Sequence, residues 1–330
     1  MDITLLNLIR GLFFIGFHAD RADMYSKISQ YIMKGLGAVV IHDYHEYSRT
    51  YKLNVKNPNQ FKELTHELQT RSANPLLIAA YVEGGANTPF KTRYGFDIKL
   101  QPPGTQANKS YIDTYQQGKK MAEELLNLGV NTNFGVIADL KKGETIQEKR
   151  YFYSDKPDEV AKRVNMFYNG ASTESGFAPV VKTFLGGPEP IEKQIEVFKL
   201  LLNKDKNKAD AIMISNNINN NIDTVPIACS NYAISELLRD NLGFEGLVIA
   251  EDYETSSAPE NIDLKDYLIL ALNAGVNMFV ISNNKRPNLD NFEQAVKIIY
   301  DAVDCGELDR SIIEKSYKKI TEYKAKKNIV

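Results

Sequence analysis

The run Gly246-Leu247-Val248-Ile249-Ala250 is apolar throughout and is closed by two carboxylates, Glu251 and Asp252. A short apolar stretch with an abrupt polar end describes a strand buried on both faces, with reactive side chains where it emerges. The pattern recurs as Leu12–Phe17, Ala38–His42, Leu76–Val82, Asn133–Ala138, Ala178–Phe184, Ala211–Ser215 and Met278–Ser282, which makes eight such runs. Segments with helical spacing lie between them. Tyr111–Leu128 places Tyr115, Met121, Leu125 and Leu128 near one face, and Gly129 follows as a stop. Pro157–Tyr168 opens with proline and the acidic pair Asp158 and Glu159, as a helix N-terminus favours. Ile191–Leu202, Asn231–Asn241, Leu264–Asn273, Phe292–Val303 and Ser311–Lys326 read as further helices, and Asn216–Asn221 reads as a loop. Alternating strand and helix implies parallel strands with right-handed crossovers. Eight units predict a single (β/α)8 barrel over residues 1–330, with no second domain. An open doubly wound sheet is the alternative; the count of eight and the lack of a glycine-rich phosphate turn after the first run weigh against it.

The composition agrees with a globular domain. The chain has 330 residues, 43% of them hydrophobic and 25% charged, which excludes a disordered tail and a collagen-like fibre. Its 40 basic and 42 acidic side chains give a net charge of -2, so there is no excess of cations to neutralise phosphates and no nucleic-acid partner is expected. Cys229 and Cys305 are too few for a disulfide framework or a cysteine-rich zinc site. No apolar run approaches the roughly 18 residues of a membrane span, so no membrane association is expected. The N-terminus lacks a basic segment and does not read as a signal peptide, which makes the cytoplasm the expected location. Nothing in the sequence points to a particular protein partner.

Barrel chemistry sits at the C-terminal ends of the strands. Those positions hold His42 and Asp43, Glu83, Asp139, Lys182 and Thr183, Asn216 and Asn217, Glu251 and Asp252, then Asn283 and Asn284. His42 and His45 are close in sequence but have no evident third ligand, so neither a metal nor another cofactor is expected. A ring of carboxylates suits sugar chemistry, because glycoside hydrolysis needs one carboxylate at the anomeric carbon and a proton donor for the leaving oxygen. The alternative is that these carboxylates cap helices or pair with Arg150 and Lys182.

Several stretches carry a family resemblance across nearly the whole chain. Leu12–Phe17 resembles the opening strand of glycoside hydrolase family 3, and Glu83-Gly84-Gly85 its strand-end Glu-Gly-Gly. Asn133-Phe134-Gly135-Val136-Ile137-Ala138-Asp139 is similar to the family's Asn-Phe-Ala-Pro-Val-x-Asp. Arg150-Tyr151-Phe152-Tyr153-Ser154-Asp155-Lys156-Pro157 is similar to Arg-Ser-Phe-x-x-Asp-Pro, with one extra residue before the proline. Leu237-Leu238-Arg239-Asp240-Asn241-Leu242-Gly243-Phe244-Glu245 leads into the opening run and is the most specific match, and Ala274-Gly275-Val276 follows it. Within the family the resemblance is to the bacterial β-N-acetylglucosaminidases that trim cell-wall muropeptides. It implies retaining hydrolysis of terminal N-acetylglucosamine and an amino-sugar or muropeptide-like ligand.

The resemblance also exposes departures at the active centre. It implies an aspartate nucleophile where this chain has Glu251, with Asp252 one residue later as a weak candidate. Neighbouring strand residues face opposite ways, so Asp252 is no simple substitute. The extra methylene of Glu251 moves its carboxylate by about 1.5 Å on ordinary bond lengths. A displacement of about 1 Å can cost roughly 10²-fold in rate. The family's Lys-His-Phe-Pro-Gly-His-Gly leads into a loop whose Asp–His pair is the acid/base. Here the stretch is Lys182-Thr183-Phe184-Leu185-Gly186-Gly187-Pro188, and a helix is expected near Pro190. All the histidines (His18, His42, His45 and His66) lie before residue 67, so none can serve from that loop. Tyr81 stands where the resemblance implies an aspartate, Ala86 an arginine, and Asn216 a histidine. Lys182 and Arg150, which the resemblance implies bind sugar hydroxyls, are retained; Tyr81, Glu83, Asp139, Thr183 and Asn216 complete the candidate binding set.

Three readings follow. The first is a non-catalytic or strongly impaired relative that binds a sugar or a partner. The second is a working glycosidase with Glu251 as nucleophile and an acid recruited from Asp139, Glu83 or Asp252. The third is Schiff-base chemistry at Lys182, which needs a desolvated lysine of lowered pKa.

Overall fold

The computed structural model describes residues 2–187, 189–203, 209–254, 260, 262–285 and 290–329. Pro188, at the end of the Lys182 stretch, lies outside them. Strands β1 (Phe13–Gly16), β2 (Ala38–Ile41), β5 (Leu77–Ala80), β6 (Thr132–Ile137), β7 (Ala178–Phe184), β8 (Ala211–Ile214), β9 (Leu247–Asp252) and β10 (Met278–Ile281) form a closed barrel. The neighbour order is β1-β10-β9-β8-β7-β6-β5-β2, and every pair is parallel. Closure is seen in the register of β1, where Phe14 lies opposite Ala38 of β2 and Val280 of β10. The expected (β/α)8 barrel is therefore the observed fold. All eight apolar runs are its strands, and β9 continues through Glu251 and Asp252.

Helices α1 (Ile3–Arg10), α2 (Lys27–Met33), α3 (Pro58–Thr70), α4 (Pro103–Gln106), α5 (Tyr111–Leu126), α6 (Ile146–Tyr151), α7 (Pro157–Ala171), α8 (Ile191–Leu201), α9 (Tyr232–Asn241), α10 (Leu264–Ala274), α11 (Asp290–Asp304) and α12 (Arg310–Lys326) lie around the strands. Local chemistry fixes their ends. Ser110 and Asp113 make a reciprocal capping box at the start of α5. Pro157 with Asp158 and Glu159 opens α7. Helix α9 is wound wider than an α-helix, with Leu242 N–H reaching back to the Leu237 carbonyl.

The barrel interior is packed rather than hollow. Phe14 of β1 meets Phe134 of β6 edge to face at 5.0 Å between ring centres, and Tyr81 meets Phe134 at 5.2 Å. Burying rings of this size contributes roughly 1.5–3 kcal/mol each. Close backbone approach makes room for them. A Cβ on Gly16 would sit 1.8 Å from the Ser282 carbonyl oxygen, so β1 and β10 can meet only with glycine there. The aromatic stack ends at Tyr81, which forms the floor of the polar mouth above it.

A small antiparallel hairpin rises from the connection after β2. It pairs β3 (Tyr44–His45) with β4 (Thr50–Tyr51), Tyr44 opposite Tyr51 and His45 opposite Thr50.

Candidate active site

Strand β7 carries Lys182 to the mouth. Its ammonium donates to Glu83 Oε1 at 2.5 Å and lies 5.0 Å from the centre of the Tyr81 ring. The other Glu83 oxygen accepts from Asn87 Nδ2 at 2.9 Å, and a Gly84–Asn87 backbone bridge holds that turn. Burial disfavours both charges of the pair, but each supports the other. Glu83 stays below the usual carboxylate range, and Lys182 stays above its ordinary value with help from Glu251 and Asp139. A lysine held this firmly charged is a poor nucleophile, which weighs against the Schiff-base reading.

Asp139 and Glu251 share the field of Lys182. Burial pushes Asp139 up to about 7; Lys182 opposes the shift, and Glu251 and Glu83 add to it. Glu251 is also raised by burial, against Lys182 and the Asn216 N–H. Tyr81 is raised by burial and then by Asp252, Glu251 and Glu83. The mouth thus holds three carboxyl groups and one ammonium over a phenol floor, and one of the carboxyl groups titrates near neutrality.

Asp252 has a different place. It is 4% exposed, and one of its oxygens accepts the N–H groups of Ser282 at 3.1 Å and Glu254 at 3.2 Å. Burial pushes it up to about 6 against those bonds. The register of β9 on β10 shifts between Ile249 and Asp252, and Asp252, though bonded into the wall, still acts on Tyr81 alongside Glu251. Its bonds make Asp252 a brace between β9 and β10. Asn216 is likewise engaged in the wall: its Nδ2 donates to the Glu251 carbonyl at 2.7 Å, and its Oδ1 accepts from Tyr267 Oη at 2.8 Å. Thr183 is buried, follows a cis peptide bond from Lys182, and directs its N–H toward Asp139.

Arg150 sits on the rim. It is exposed on α6, and its guanidinium lies 5.6 Å from the Tyr151 ring centre. A Cβ on Gly85 would come within 3.3 Å of its Nη2, so the guanidinium rests against the Glu83-Gly84-Gly85 turn. No carboxylate pairs with it among the described residues.

The connection from β7 to α8 is short. It runs Leu185–Pro190, Gln194 of α8 exchanges hydrogen bonds with Gly187, and a Cβ on Gly187 would lie 3.8 Å from Asp139 Oδ1. Backbone thus lies beside Asp139 where the sequence resemblance implies an acid/base loop.

The model of the glycosyl hydrolase family 3 N-terminal domain matches residues 11–323. The chain belongs to glycosyl hydrolase family 3. It is 27% identical over 246 residues to a β-hexosaminidase from Photobacterium profundum, covering 68% of this chain and 71% of that protein. A β-hexosaminidase from Alkalilimnicola ehrlichii is 29% identical over 260 residues, covering 71% and 72%. Among solved structures, a family 3 β-N-acetylglucosaminidase from a Paenibacillus species superposes with a TM-score of 0.84 at 20% identity, covering 98% of this chain. This chain spans 63% of that longer protein.

This family 3 barrel brings together Lys182, Glu83, Asp139, Glu251 and Tyr81 from the sequence-derived set, with Arg150 on the rim and Thr183, Asn216 and Asp252 in the walls. Sequence reasoning missed Asn87, Ser282 and Glu254 as supports. Asn87 had a signal, since it follows the Glu-Gly-Gly turn closely; Ser282 and Glu254 act only through barrel pairing. Near the mouth, His42 stacks on Tyr81 at 6.4 Å, and His18 packs edge-on against His45 at 4.2 Å. His18 also bonds the Asn283 carbonyl through Nε2. Burial and the other two histidines push His42 down to about 4, so it is neutral at physiological pH. No group of His, Cys, Asp and Glu side chains has metal-binding geometry among the described residues, and none of the described helices is long and apolar enough to cross a membrane.

Proposed function

We propose that this barrel binds terminal N-acetylated amino sugars in its mouth and has lost most of the hydrolytic power of its family. The observation that carries the reading is the connection over residues 185–190, which is short, has no histidine and offers Glu189 as its one acid where the family resemblance implies an Asp–His loop. General acid–base help is worth about 10²–10⁴-fold, so its loss would cripple turnover of unactivated glycosides. Two further features support it. Tyr81 stands where the family resemblance implies a hydroxyl-binding carboxylate, and burial, opposed by Lys182 and the Asn216 N–H, pushes the Glu251 carboxyl above its ordinary value. Lys182 and Arg150 remain as donors for sugar oxygens, consistent with an amino-sugar or muropeptide-like ligand and with the β-hexosaminidase relatives. The unpaired Cys229 and Cys305 suit a reducing compartment, and the cytoplasm is the location we propose.

The raised Asp139 favours a second reading. A carboxyl group near 7 beside an ionisable glutamate is the pairing that retaining glycosidases use. In that reading Glu251 attacks the anomeric carbon and forms a glycosyl ester. The glycosidic C–O bond breaks, and its oxygen takes the Asp139 proton.

Turnover of 4-nitrophenyl N-acetyl-β-glucosaminide by wild type, Glu251→Gln and Asp139→Asn tests both. Nitrophenolate leaves without a proton. The first reading expects weak turnover of this substrate that vanishes in Glu251→Gln and survives in Asp139→Asn, with none for chitobiose. Chitobiose hydrolysis that Asp139→Asn abolishes would establish the second. If the wild type neither cleaves the aryl glycoside nor binds N-acetylglucosamine, both are wrong.

A further inference from the structure

The amine chemistry that Lys182 lacks is present at the opposite end of the barrel. Helix α12 carries Lys324, in its last turn, to the face where the strands begin. Its Nζ donates to the Pro75 carbonyl at 2.6 Å and to the Gly37 carbonyl at 3.1 Å, just ahead of β5 and β2. Its neighbours Lys326 and Lys327 both pair with Asp210, whereas no carboxylate pairs with Lys324 among the described residues. The ammonium thus loses hydration without gaining a counter-charge, and burial brings it down to about 8. Two carbonyls match the two N–H groups of a neutral amine, whose lone pair is then unused. A desolvated lysine of this kind is a nucleophile.

A cleft gives that nitrogen access to a ligand. Lys324 lines a hollow of about 330 Å³ on this face, within the range of small-molecule sites. Ile32, Leu36 and Ile320 form an apolar wall, and Met33, on the same wall, is half exposed. Close backbone approach shapes the hollow. A Cβ on Gly37 would sit 2.3 Å from the Gly11 carbonyl oxygen, and one on Gly11 would sit 2.5 Å from the Tyr317 ring. Lys34 is the other charged side chain lining the cleft, and it pairs with Glu293 at 3.5 Å. A nucleophilic nitrogen against apolar walls suits a ligand with an electrophilic carbonyl and an apolar chain. The two carbonyl partners decide between electrophiles. An aldehyde would give an imine, which has no N–H when neutral and strands both acceptors. An acyl donor gives an amide, which keeps one N–H for the shorter bond to Pro75.

We propose that this cleft is an acylation site, in which Lys324 takes an apolar acyl group from a thioester. The nitrogen lone pair attacks the thioester carbonyl carbon, the C–N bond forms and the C–S bond breaks. Sulfur leaves with the electron pair of that bond and takes up the proton that nitrogen releases, so the products are an amide and a thiol. The acyl chain lies along the Ile32, Leu36 and Ile320 wall. Acylation removes the charge and one carbonyl contact, which weakens the tie between α12 and the starts of β2 and β5. The site is separate from the sugar mouth and does not depend on what binds there.

Labelling the wild-type protein with the acetyl and hexanoyl thioesters of N-acetylcysteamine, followed by peptide mapping in a mass spectrometer, tests the site. Lys318 and Lys326 serve as internal references, since their side chains are 76% and 66% exposed. Lys324 should be acylated about tenfold faster than either at neutral pH, because more of it is uncharged there. The hexanoyl thioester should react about fivefold faster than the acetyl one, since its extra methylenes are buried in the cleft. The Lys324 rate should level off above about pH 8, while the reference rates climb toward pH 10. Lys324→Arg keeps donors for both carbonyls and should lose the fast site alone, with an unchanged denaturation midpoint. Labelling of Lys324 no faster than of Lys318 overturns the proposal. So does a Lys324 rate that climbs with the references to pH 10, or one indifferent to chain length. A fast site that persists in Lys324→Arg overturns it as well.

Discussion

Lys182 and Glu83 join β7 to the turn after β5 through a 2.5 Å ion pair, and Tyr81 lies directly under the lysine. Both side chains are largely shielded from water, so each charge depends on the other. Lys182→Met leaves the Glu83 carboxylate without its partner and should destabilise the fold by about 2–4 kcal/mol. Lys182→Met/Glu83→Gln should recover much of that loss, since it removes both charges. Urea denaturation of the four proteins in the cycle measures the coupling. Additive losses, with the double variant losing the sum of the two single ones, would show that the two charges are not coupled.

Asp139 should make stability fall as the pH rises toward neutrality. Its folded pKa, about 7, is above the ordinary value near 4, so between those limits the folded state holds a proton that the unfolded state has released. The group therefore favours the fold fully below about pH 4, and that contribution is lost as pH rises through 7. Asp252, pushed up to about 6, acts in the same direction over a narrower window. Asp139→Asn should flatten the curve between pH 6 and 7 and leave the Asp252 slope below it. Denaturation midpoints at half-unit pH steps give the comparison; identical slopes in wild type and variant would place Asp139 in ordinary solvent.

Asp252 should matter for structure more than for chemistry. Removing its carboxylate in Asp252→Ala leaves the buried N–H groups of Ser282 and Glu254 unmatched, at a cost of about 2–3 kcal/mol. Asp252→Asn keeps one acceptor oxygen and should cost less. The loss should also spread along the bonded path from Asp252 to Glu254 N–H, from Glu254 to Asn284 N–H, and from Asn284 to the N–H groups of Glu46 and Tyr47. Hydrogen exchange at Glu46 and Tyr47 should then speed up in Asp252→Ala, and unchanged exchange there would mean that the hairpin is held by other contacts.

Most of the barrel was legible because its signal is local. A fully buried strand must be apolar along its length, so Ala178–Phe184 announces itself without any knowledge of its neighbours. The residues that meet at the mouth were legible for a related reason: strand ends are where polar residues begin. Their division of labour was not. Glu251 and Asp252 are adjacent acids in sequence, and only pairing with β10 shows that one braces Ser282 while the other faces the cup. Asn216 looked like a ligand-binding residue, yet its amide is satisfied by Tyr267 and the β9 backbone, which are far away in sequence. The β3–β4 hairpin was invisible because two-residue strands have no period to read.

Gly104 should control the rim through the backbone of α6. A Cβ there would sit 1.7 Å from the Lys149 carbonyl oxygen, so α4 and α6 would have to part by roughly 1.5–2 Å to reach ordinary contact. Helix α6 carries Arg150, whose guanidinium rests against Gly85 beside Glu83. The opposite flank is fixed, because Arg163 of α7 donates to the Gln106 and Ala107 carbonyls at 3.1 Å and holds α4 in place. The displacement should therefore fall on α6. Gly104→Ala is expected to cost about 1–3 kcal/mol of stability and to weaken N-acetylglucosamine binding by roughly tenfold, as Arg150→Ala should. If both act through the same guanidinium, Gly104→Ala/Arg150→Ala should bind no more weakly than either single variant. Additive losses in titration calorimetry would separate the two, and leave Gly104 as a packing residue with no hold on the sugar.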